Sequence, residues 1–336
     1  MSDNDRKIRI ALPSKGLLAE GSMSLLSNVG FPIYKPNPRQ YIASIPQLPG
    51  IEVIFQRPGD IVISVRDGSV DFGITGSDIY LEKKGANGSI LPLHNNLGYG
   101  KCTLNVIVPD SWENVNTLED LKKYQVSLGR PLKIATKFPI LAGDFFEKNT
   151  SIKFEFIKAE GTLEIAPTVG YADMLVDLVS TGTTLRDNRL KKLPNGTILN
   201  AEACLISNKK RLQDNPSTLK MATQLLEMIG AYLRGKQNLA VFANIRAENM
   251  DDISEKIFQK SVISGLQGPT VSQILTRDNE NFYAIHVVVN KDALQTAIQE
   301  IREIGGSGVV VSPVNYIFEE EPGEIKKMLA ALDKSK

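Results

Sequence analysis

The sequence predicts an α/β protein: a core of two strand–helix lobes with mainly parallel sheets, followed by a smaller C-terminal α+β domain. Three observations predict it. Short apolar runs alternate with helix-spaced segments through the first two-thirds of the chain. Strands that alternate with helices in this way form parallel sheets covered on both faces. Apolar strands then return after a complete second α/β unit, which implies two lobes joined by crossing segments. From about Gln237 the rhythm changes to one close to a ferredoxin-like βαββαβ unit.

The elements follow in order. Lys7 to Leu12 reads as the first strand, and Pro13-Ser14-Lys15-Gly16 as a turn. Leu17 to Asn28 places Leu18, Met23, Leu25 and Leu26 at helical spacing. Ile51 to Phe55 is a second strand, Ile61 to Asp67 a helix stopped by Gly68, and Phe72 to Thr75 a short buried strand. A second unit starts near Pro109, where Thr117 caps a helix with Asp120 three residues on. Lys133 to Thr136, Ile152 to Ile157 and Met174 to Val179 read as strands, with a helix from Pro139 to Asn149. The strand Ala203 to Ile206 and a helix from about Pro216 to Arg234 complete the core. In the tail, Leu239 to Ile245, Phe282 to Val289 and Gly308 to Val314 read as strands, with Val271 to Leu275 as a weak fourth. Met250 to Gln259 and Asp292 to Ile304 read as helices. The expected boundaries are 1–107 with 196–232 for the first lobe, 108–195 for the second, and 236–336 for the tail. Ligands of such a core bind between the lobes, at the carboxyl ends of the strands.

Composition narrows the function classes. The 39 basic and 38 acidic residues leave a net charge of +1, which gives no electrostatic footprint for nucleic acid or an anionic membrane. The two cysteines, Cys102 and Cys204, lie in apolar runs. A disulfide framework is not expected, and a reducing compartment fits. The polar start Met-Ser-Asp-Asn-Asp-Arg-Lys shows no signal peptide, so a cytoplasmic protein is expected. No apolar run approaches the roughly 18 residues of a membrane helix. No Cys/His spacing resembles a zinc site. His94 and His286 read as structural residues.

The most informative stretch runs from Glu164 to Leu185. A buried strand ends at Val179 and opens into Ser180-Thr181-Gly182-Thr183-Thr184 before a helix starts. Gly182 permits a tight turn and close approach to a ligand. The hydroxyls and the free amides at the helix start suit a phosphate monoester. Asp177 lies inside the apolar strand, where an unpaired carboxylate is costly. It can accept hydrogen bonds from sugar hydroxyls, so the pair suits a ribose 5-phosphate. The same letters also suit a capped helix behind an ordinary Ser/Thr turn. Glu164 and Asp173 add two further carboxylates nearby in sequence.

At this point the chain resembles the ATP phosphoribosyltransferases. Glu164-Ile-Ala-Pro, Gly170-Tyr-Ala-Asp173 and Asp177-Leu-Val-Ser-Thr-Gly-Thr-Thr-Leu185 look like that family's signature. Arg9-Ile-Ala-Leu-Pro-Ser-Lys15-Gly resembles its opening strand and turn. Arg57, Asp60 and the run Val70 to Asp78 resemble its adenine side, and Lys133 to Pro139 its second lobe. Gly268-Pro269-Thr270 and Gly305 to Val309 resemble the regulatory domain of the long form. The resemblance implies a periplasmic-binding-protein-like two-lobed catalytic core with an ACT-like tail. It implies transfer of the phosphoribosyl group of phosphoribosyl pyrophosphate to N1 of ATP, the first step of histidine biosynthesis.

Carried over by residue, Asp177 and Ser180 to Thr184 would hold phosphoribosyl pyrophosphate. Arg57, Gly73, Thr75, Gly76 and Asp78 would contact ATP. Lys15, Glu164, Asp173 and Asp177 would serve the reaction, with Mg2+ on the pyrophosphate near Glu164 and Asp173. The resemblance further implies feedback inhibition by histidine at the tail and a homo-oligomer, from dimer to hexamer. The family often has Gly-Arg-Leu after the lysine turn, whereas this chain has Gly16-Leu17-Leu18. The missing cation would come from another residue, such as Arg39 or Lys137. Without the resemblance, Lys15 reads rather as a solvated turn lysine, Arg57 equally as an exposed loop residue, and Asp78 rather as a helix cap. Two α/β lobes around a cleft also suit a solute-binding protein, so a small-molecule binder without catalysis and a phosphoribosyltransferase for another base remain as alternatives.

Overall fold

A computed structural model describes residues 6–37, 39–158, 161–180, 182–265, 268–276 and 281–333. By internal contacts the chain divides into two units, Met1–Gln224 with Glu324–Lys336, and Leu225–Gly323.

The first unit holds two sheets. The first lobe begins with strands β1 (Ile8–Pro13), β2 (Ile42–Ser44), β3 (Ile51–Gln56), β4 (Phe72–Gly76) and β5 (Ile90–His94). The second lobe holds β6 (Cys102–Pro109), β7 (Leu132–Thr136), β8 (Phe154–Lys158), β9 (Met174–Val179) and β10 (Leu190–Ala201). The chain then returns to the first lobe as β11 (Ala203–Asn208). The first sheet has the order β2-β3-β1-β4-β11-β5, and the second β10-β6-β9-β7-β8. Parallel pairs β1–β3, β1–β4, β7–β8 and β7–β9 form the inner frame. The strands nearest the crossings, β6, β10 and β11, run antiparallel to their neighbours.

The lobes therefore exchange chain at other points than the sequence suggests. The expected breaks at 107/108 and 195/196 fall inside β6 and β10, both members of the second sheet. One crossing is the segment 95–101, and the other is the single residue Glu202 between β10 and β11. The two crossings lie side by side: the Leu97 amide donates to the Ala203 carbonyl and the Ala203 amide to the Tyr99 carbonyl, each at 3.0 Å.

Helices α1 (Leu17–Asn28), α2 (Pro58–Arg66) and α3 (Ser77–Lys83) serve the first lobe. Pro58 stands at the first turn of α2, where its missing N–H costs nothing. The second lobe has α4 (Leu118–Leu128), α5 (Pro139–Asn149), α6 (Ala166–Val169) and α7 (Thr183–Asp187). α4 starts with the expected capping box: the Asp120 amide donates to Thr117 Oγ1 at 3.1 Å, and the Thr117 amide to Asp120 Oδ2 at 3.0 Å. α5 lacks a side-chain cap of its own. Glu82 of α3 supplies one, accepting from the amides of Ile140 at 2.9 Å and Leu141 at 3.0 Å. A carboxylate at a helix N-terminus meets both unpaired amides and the positive end of the helix dipole. This contact joins the two lobes. Helix α8 (Lys209–Asp214) follows β11, and α9 (Pro216–Gln237) carries the chain across the division between the units.

The second unit contains β12 (Asn238–Arg246), α10 (Met250–Phe258), β13 (Thr270–Ile274), β14 (Phe282–Asn290), α11 (Leu294–Glu303) and β15 (Gly306–Pro313). The antiparallel order β13-β14-β12-β15 is the expected ferredoxin-like βαββαβ, with the weak strand at the edge. Val241, Ile245, Ile285 and Val287 pack against Ile253 and Ile257 of α10 and Ala297 and Ile301 of α11. Glu300 accepts the amides of Ser261, Val262 and Ile263, so this unit also uses a buried glutamate to finish a backbone turn. The expected tail of 236–336 differs at both ends, because the later turns of α9 belong to this unit and α12 (Gly323–Asp333) lies almost wholly in the first. There Gln213 Nε2 donates to the Leu332 carbonyl at 3.4 Å.

Candidate active site

β9 is the central strand of the second sheet, and its last residues lead into the Ser/Thr/Gly loop singled out in the sequence. Val179 is buried, Asp177 is half-buried, and Gly182 takes φ 77°, the left-handed conformation that favours glycine. Asp177, Ser180, Gly182 and Thr184 line one small cavity of about 180 Å³ together with Glu164. No described side chain caps α7. Thr181 lies outside the described residues, and Thr183 opens α7.

Burial pushes the Asp177 carboxyl above the usual carboxylate range, and the Glu164 charge adds to this. The Leu178 amide, donating to Asp177 Oδ1 at 2.8 Å, and the Lys137 charge work the other way. Lys137 is thus within electrostatic range of Asp177. Leu17, in the place where the family often has arginine, is 76% exposed.

Asp173 is held elsewhere. Arg130 grips it with both guanidinium nitrogens, at 2.7 and 2.8 Å, and the Lys133 amide donates to it at 2.8 Å. The Arg130 guanidinium holds its carboxyl below the usual range. It stands four residues before Asp177, about 13 Å along the strand, toward the opposite end of β9. The structure therefore does not bring Asp173 to the cavity, which corrects its expected place beside Glu164: its carboxylate is saturated by a structural ion pair.

In the first lobe, Lys15, Arg57 and Gly76 stand at the carboxyl edge of β1, β3 and β4, as parallel strands require. The Ser14 amide bonded to the Gln56 carbonyl at 2.9 Å keeps the first two turns together. Lys15 and Arg57 are exposed. Thr75 is fully buried and donates to the Pro58 carbonyl at 3.2 Å, so it fastens the start of α2. Gly73 is a packing position: a Cβ there would lie 2.5 Å from Ile61 Cγ2 and 3.0 Å from Val65 Cγ2. That steric role is a reason for glycine here independent of the expected nucleotide contact. A Cβ on Gly76 would meet Asp78 Oδ1 at 2.2 Å, so glycine there makes room for the carboxylate. Asp78 is 4% exposed and its pKa is raised by burial. Its charge helps push the thiol of Cys102 up to about 11, though burial is the larger cause. Asp71, by contrast, is fully buried between Arg6 and Arg211 and is structural.

Sequence reasoning missed Asn105. It lies directly opposite Asp177 in the β6–β9 pair and is 1% exposed. Its Nδ2 donates to the Thr103 carbonyl and Thr103 Oγ1, each at 2.7 Å, and its Oδ1 accepts from Thr197 Oγ1 at 3.0 Å. No motif marks it, since the strand pairing alone brings it there.

Fold and site together define a two-lobed α/β core with a Ser/Thr/Gly loop at the carboxyl end of a central strand, and a separate small antiparallel unit that follows it in sequence. The family model described as ATP phosphoribosyltransferase matches residues 57–231, and that described as HisG, C-terminal domain, matches residues 236–316. ATP phosphoribosyltransferase 2, chloroplastic, of Arabidopsis thaliana is 39% identical over 97% of this chain and 81% of its own length. The ATP phosphoribosyltransferase of Methanocaldococcus jannaschii is 34% identical over 93% of this chain and all of its own. Among solved structures, the ATP phosphoribosyl transferase (HisG:HisZ) complex from Thermotoga maritima aligns at TM-score 0.52 and 22% identity, covering 66% of this chain and 98% of that one. The chain belongs to the ATP phosphoribosyltransferase family, a family of pentosyltransferase enzymes, in the long form with the C-terminal domain. Among the described residues no helix is long and apolar enough to cross a membrane.

Proposed function

We propose that this chain transfers the phosphoribosyl group of phosphoribosyl pyrophosphate to N1 of ATP and releases pyrophosphate. The observation that carries this is the shared cavity of Asp177, Ser180, Gly182, Thr184 and Glu164 at the end of β9. Its volume of about 180 Å³ suits a sugar phosphate rather than a whole nucleotide. The loop takes the 5-phosphate with hydroxyls and backbone amides, and Asp177 accepts from the ribose hydroxyls. Attack by N1 on C1′ passes through an oxocarbenium-like state. The protein contributes alignment of two anionic substrates and stabilisation of the leaving pyrophosphate. Lys15 and Arg57, at the facing strand edge, supply positive charge, and Lys137 serves in place of the arginine that Leu17 replaces.

Magnesium fits as an ion carried mainly by substrate phosphates. Among the described residues no group of three or more His, Cys, Asp or Glu side chains is placed to hold a metal. One or two carboxylates with substrate oxygens suffice for Mg2+, and Glu164 with Asp177 meets that need. Bound there, the ion would neutralise pyrophosphate charge. We further propose cytoplasmic location, homo-oligomeric assembly and histidine as inhibitor at the C-terminal domain. The ferredoxin-like unit and the family's long form support the last of these.

The test is release of pyrophosphate from ATP, Mg2+ and phosphoribosyl pyrophosphate, with Asp177→Asn beside the parent. The parent should form pyrophosphate and the phosphoribosyl adduct in equal amounts, and the variant should slow by about 100-fold or more. Binding without pyrophosphate release would refute the enzymatic reading.

A further inference from the structure

Helix α5 does not complete its own start. Pro139 at its first position has no N–H to satisfy. The next two amides, of Ile140 and Leu141, donate to Oε1 and Oε2 of Glu82. Bonding within the helix begins only at Ala142, whose amide donates to the Phe138 carbonyl at 3.0 Å. The cap therefore comes from the other lobe. The helix that brings it is fixed at the crossing: the Ser77 amide, at the start of α3, donates to the Glu202 carbonyl at 2.9 Å, and Ser77 Oγ accepts from the Glu202 amide at 3.2 Å. Ile79, two residues on, packs against the apolar cores of both lobes. What the cap holds is the turn between β7 and α5. On its strand side Thr136 is buried, donates to the Val176 carbonyl at 2.8 Å and accepts from the Phe138 amide at 2.9 Å. On its helix side stand the two bonds to Glu82. Lys137 is the exposed residue between these anchors. Thr136 faces Val176 in the parallel β7–β9 pair, so Lys137 and Asp177 are the residues that follow on neighbouring strands, whose axes run about 5 Å apart.

We infer that Glu82 is a positioning residue for the transfer reaction: reaching across from the first lobe, it completes α5 and thereby holds the Lys137 ammonium in place beside Asp177. The inference rests on the proposed reaction, in which Lys137 supplies positive charge next to the ribose held by Asp177. A helix in need of a cap alone is served from within its own lobe by Ser, Thr, Asp or Asn at the N-cap. Here the N-cap is Phe138, buried in the second-lobe core, and the capping task passes to a residue that meets these amides only while the lobes are together. Parting the lobes leaves two amides to water and removes one of the two anchors of the turn. A lysine side chain has many rotamers, so the backbone on either side of Lys137 is what restricts where its charge lies. The carboxylate thus makes the cation of one lobe depend on the other, although Glu82 itself touches no substrate.

The test uses the full chain with Glu82→Ala, Glu82→Gln and Lys137→Met, and with each Glu82 change combined with Lys137→Met. All are measured below the unfolding transition of the least stable variant. Amide hydrogen exchange across residues 137–142 reads the cap, and calorimetric titration with phosphoribosyl pyrophosphate and Mg2+, without ATP, reads the site. Exchange should quicken in both Glu82 variants. Glu82→Ala should weaken phosphoribosyl pyrophosphate about tenfold, and Glu82→Gln, which keeps one accepting oxygen, about threefold. In the Lys137→Met background neither change should add more than about twofold, because Glu82 acts through that lysine. Equal losses with and without the Lys137 ammonium would show a general loss of structure and overturn the inference. Unaltered exchange, or unaltered affinity in both Glu82 variants, overturns it too. Should Glu82→Ala fail to fold, Glu82→Gln carries the same comparison. Because binding is read without turnover, a parent that binds phosphoribosyl pyrophosphate with this dependence yet forms no product with ATP refutes only the proposed reaction.

Discussion

Removing the Glu82 carboxylate should loosen the joint between the lobes by a measurable amount. Glu82 is 6% exposed and accepts two amides of α5 at 2.9 and 3.0 Å. Hydrogen bonds to a charged group contribute about 1.5–3 kcal/mol each, which sets an upper range of about 3–6 kcal/mol for the pair. Two effects reduce it. Ionised Glu82 sits in a site where burial already raises its pKa, so part of its stabilisation offsets desolvation. Ile140 is 56% exposed, so water reaches one of the freed amides. Glu82→Ala should therefore cost about 2–4 kcal/mol. Glu82→Gln keeps one carbonyl oxygen and should cost about half as much. Urea unfolding followed at Trp112 reads this directly, because that residue packs against Tyr124 in the second lobe, 4.2 Å between ring centroids. A shift equivalent to less than about 0.5 kcal/mol for Glu82→Ala would refute the account of the joint.

Two further outcomes follow from the site. Gly73→Ala should destabilise the first lobe by about 1–3 kcal/mol through overpacking against Ile61 and Val65, leaving KM for ATP within about twofold once the protein is folded; a large rise in KM without a fall in thermal midpoint would assign Gly73 to the nucleotide instead. Burial favours the neutral form of Asp177, so it takes up its proton at a higher pH than an ordinary aspartate. KM for phosphoribosyl pyrophosphate should rise as pH falls through that point, and Asp177→Asn should flatten this limb; an unaltered acid limb in the variant assigns the titration to another group.

Much of the fold is legible in the sequence because its signals are local. The capping box at Thr117 and the ferredoxin-like alternation each depend on neighbouring residues, and each appears where expected, whereas α2 starts at Pro58, ahead of the expected Ile61. β10 escapes for a physical reason. Its Pro194-Asn195-Gly196 reads as a turn, yet the strand lies at a sheet edge, where proline and a bulge are tolerated. Asn195 takes φ 59°, and the register shifts between Lys192 and Thr197. Missing β10 displaces the lobe boundaries. The loop after Val179 is legible because strand, glycine and hydroxyls are consecutive. Asp173 misleads because a carboxylate near a motif looks the same whether it meets a ligand or Arg130, which is 43 residues away in sequence. Asn105 is invisible for the converse reason: only the pairing of distant strands puts it beside Asp177.

The crossing at Glu202 has a mechanical consequence. A bridge of one residue, bonded alongside the 95–101 segment, has very few torsions free to turn. Relative motion of the lobes reduces to a swing about a short axle, with sliding forbidden by the paired backbones. Points near that axle travel least and points at the rim travel most. Val179, paired with Thr103 near the start of β6, sits close to that axle, while Lys15 and Arg57 ride on strand ends of the first lobe. Opening would then carry those strand ends farther than the loop after Val179.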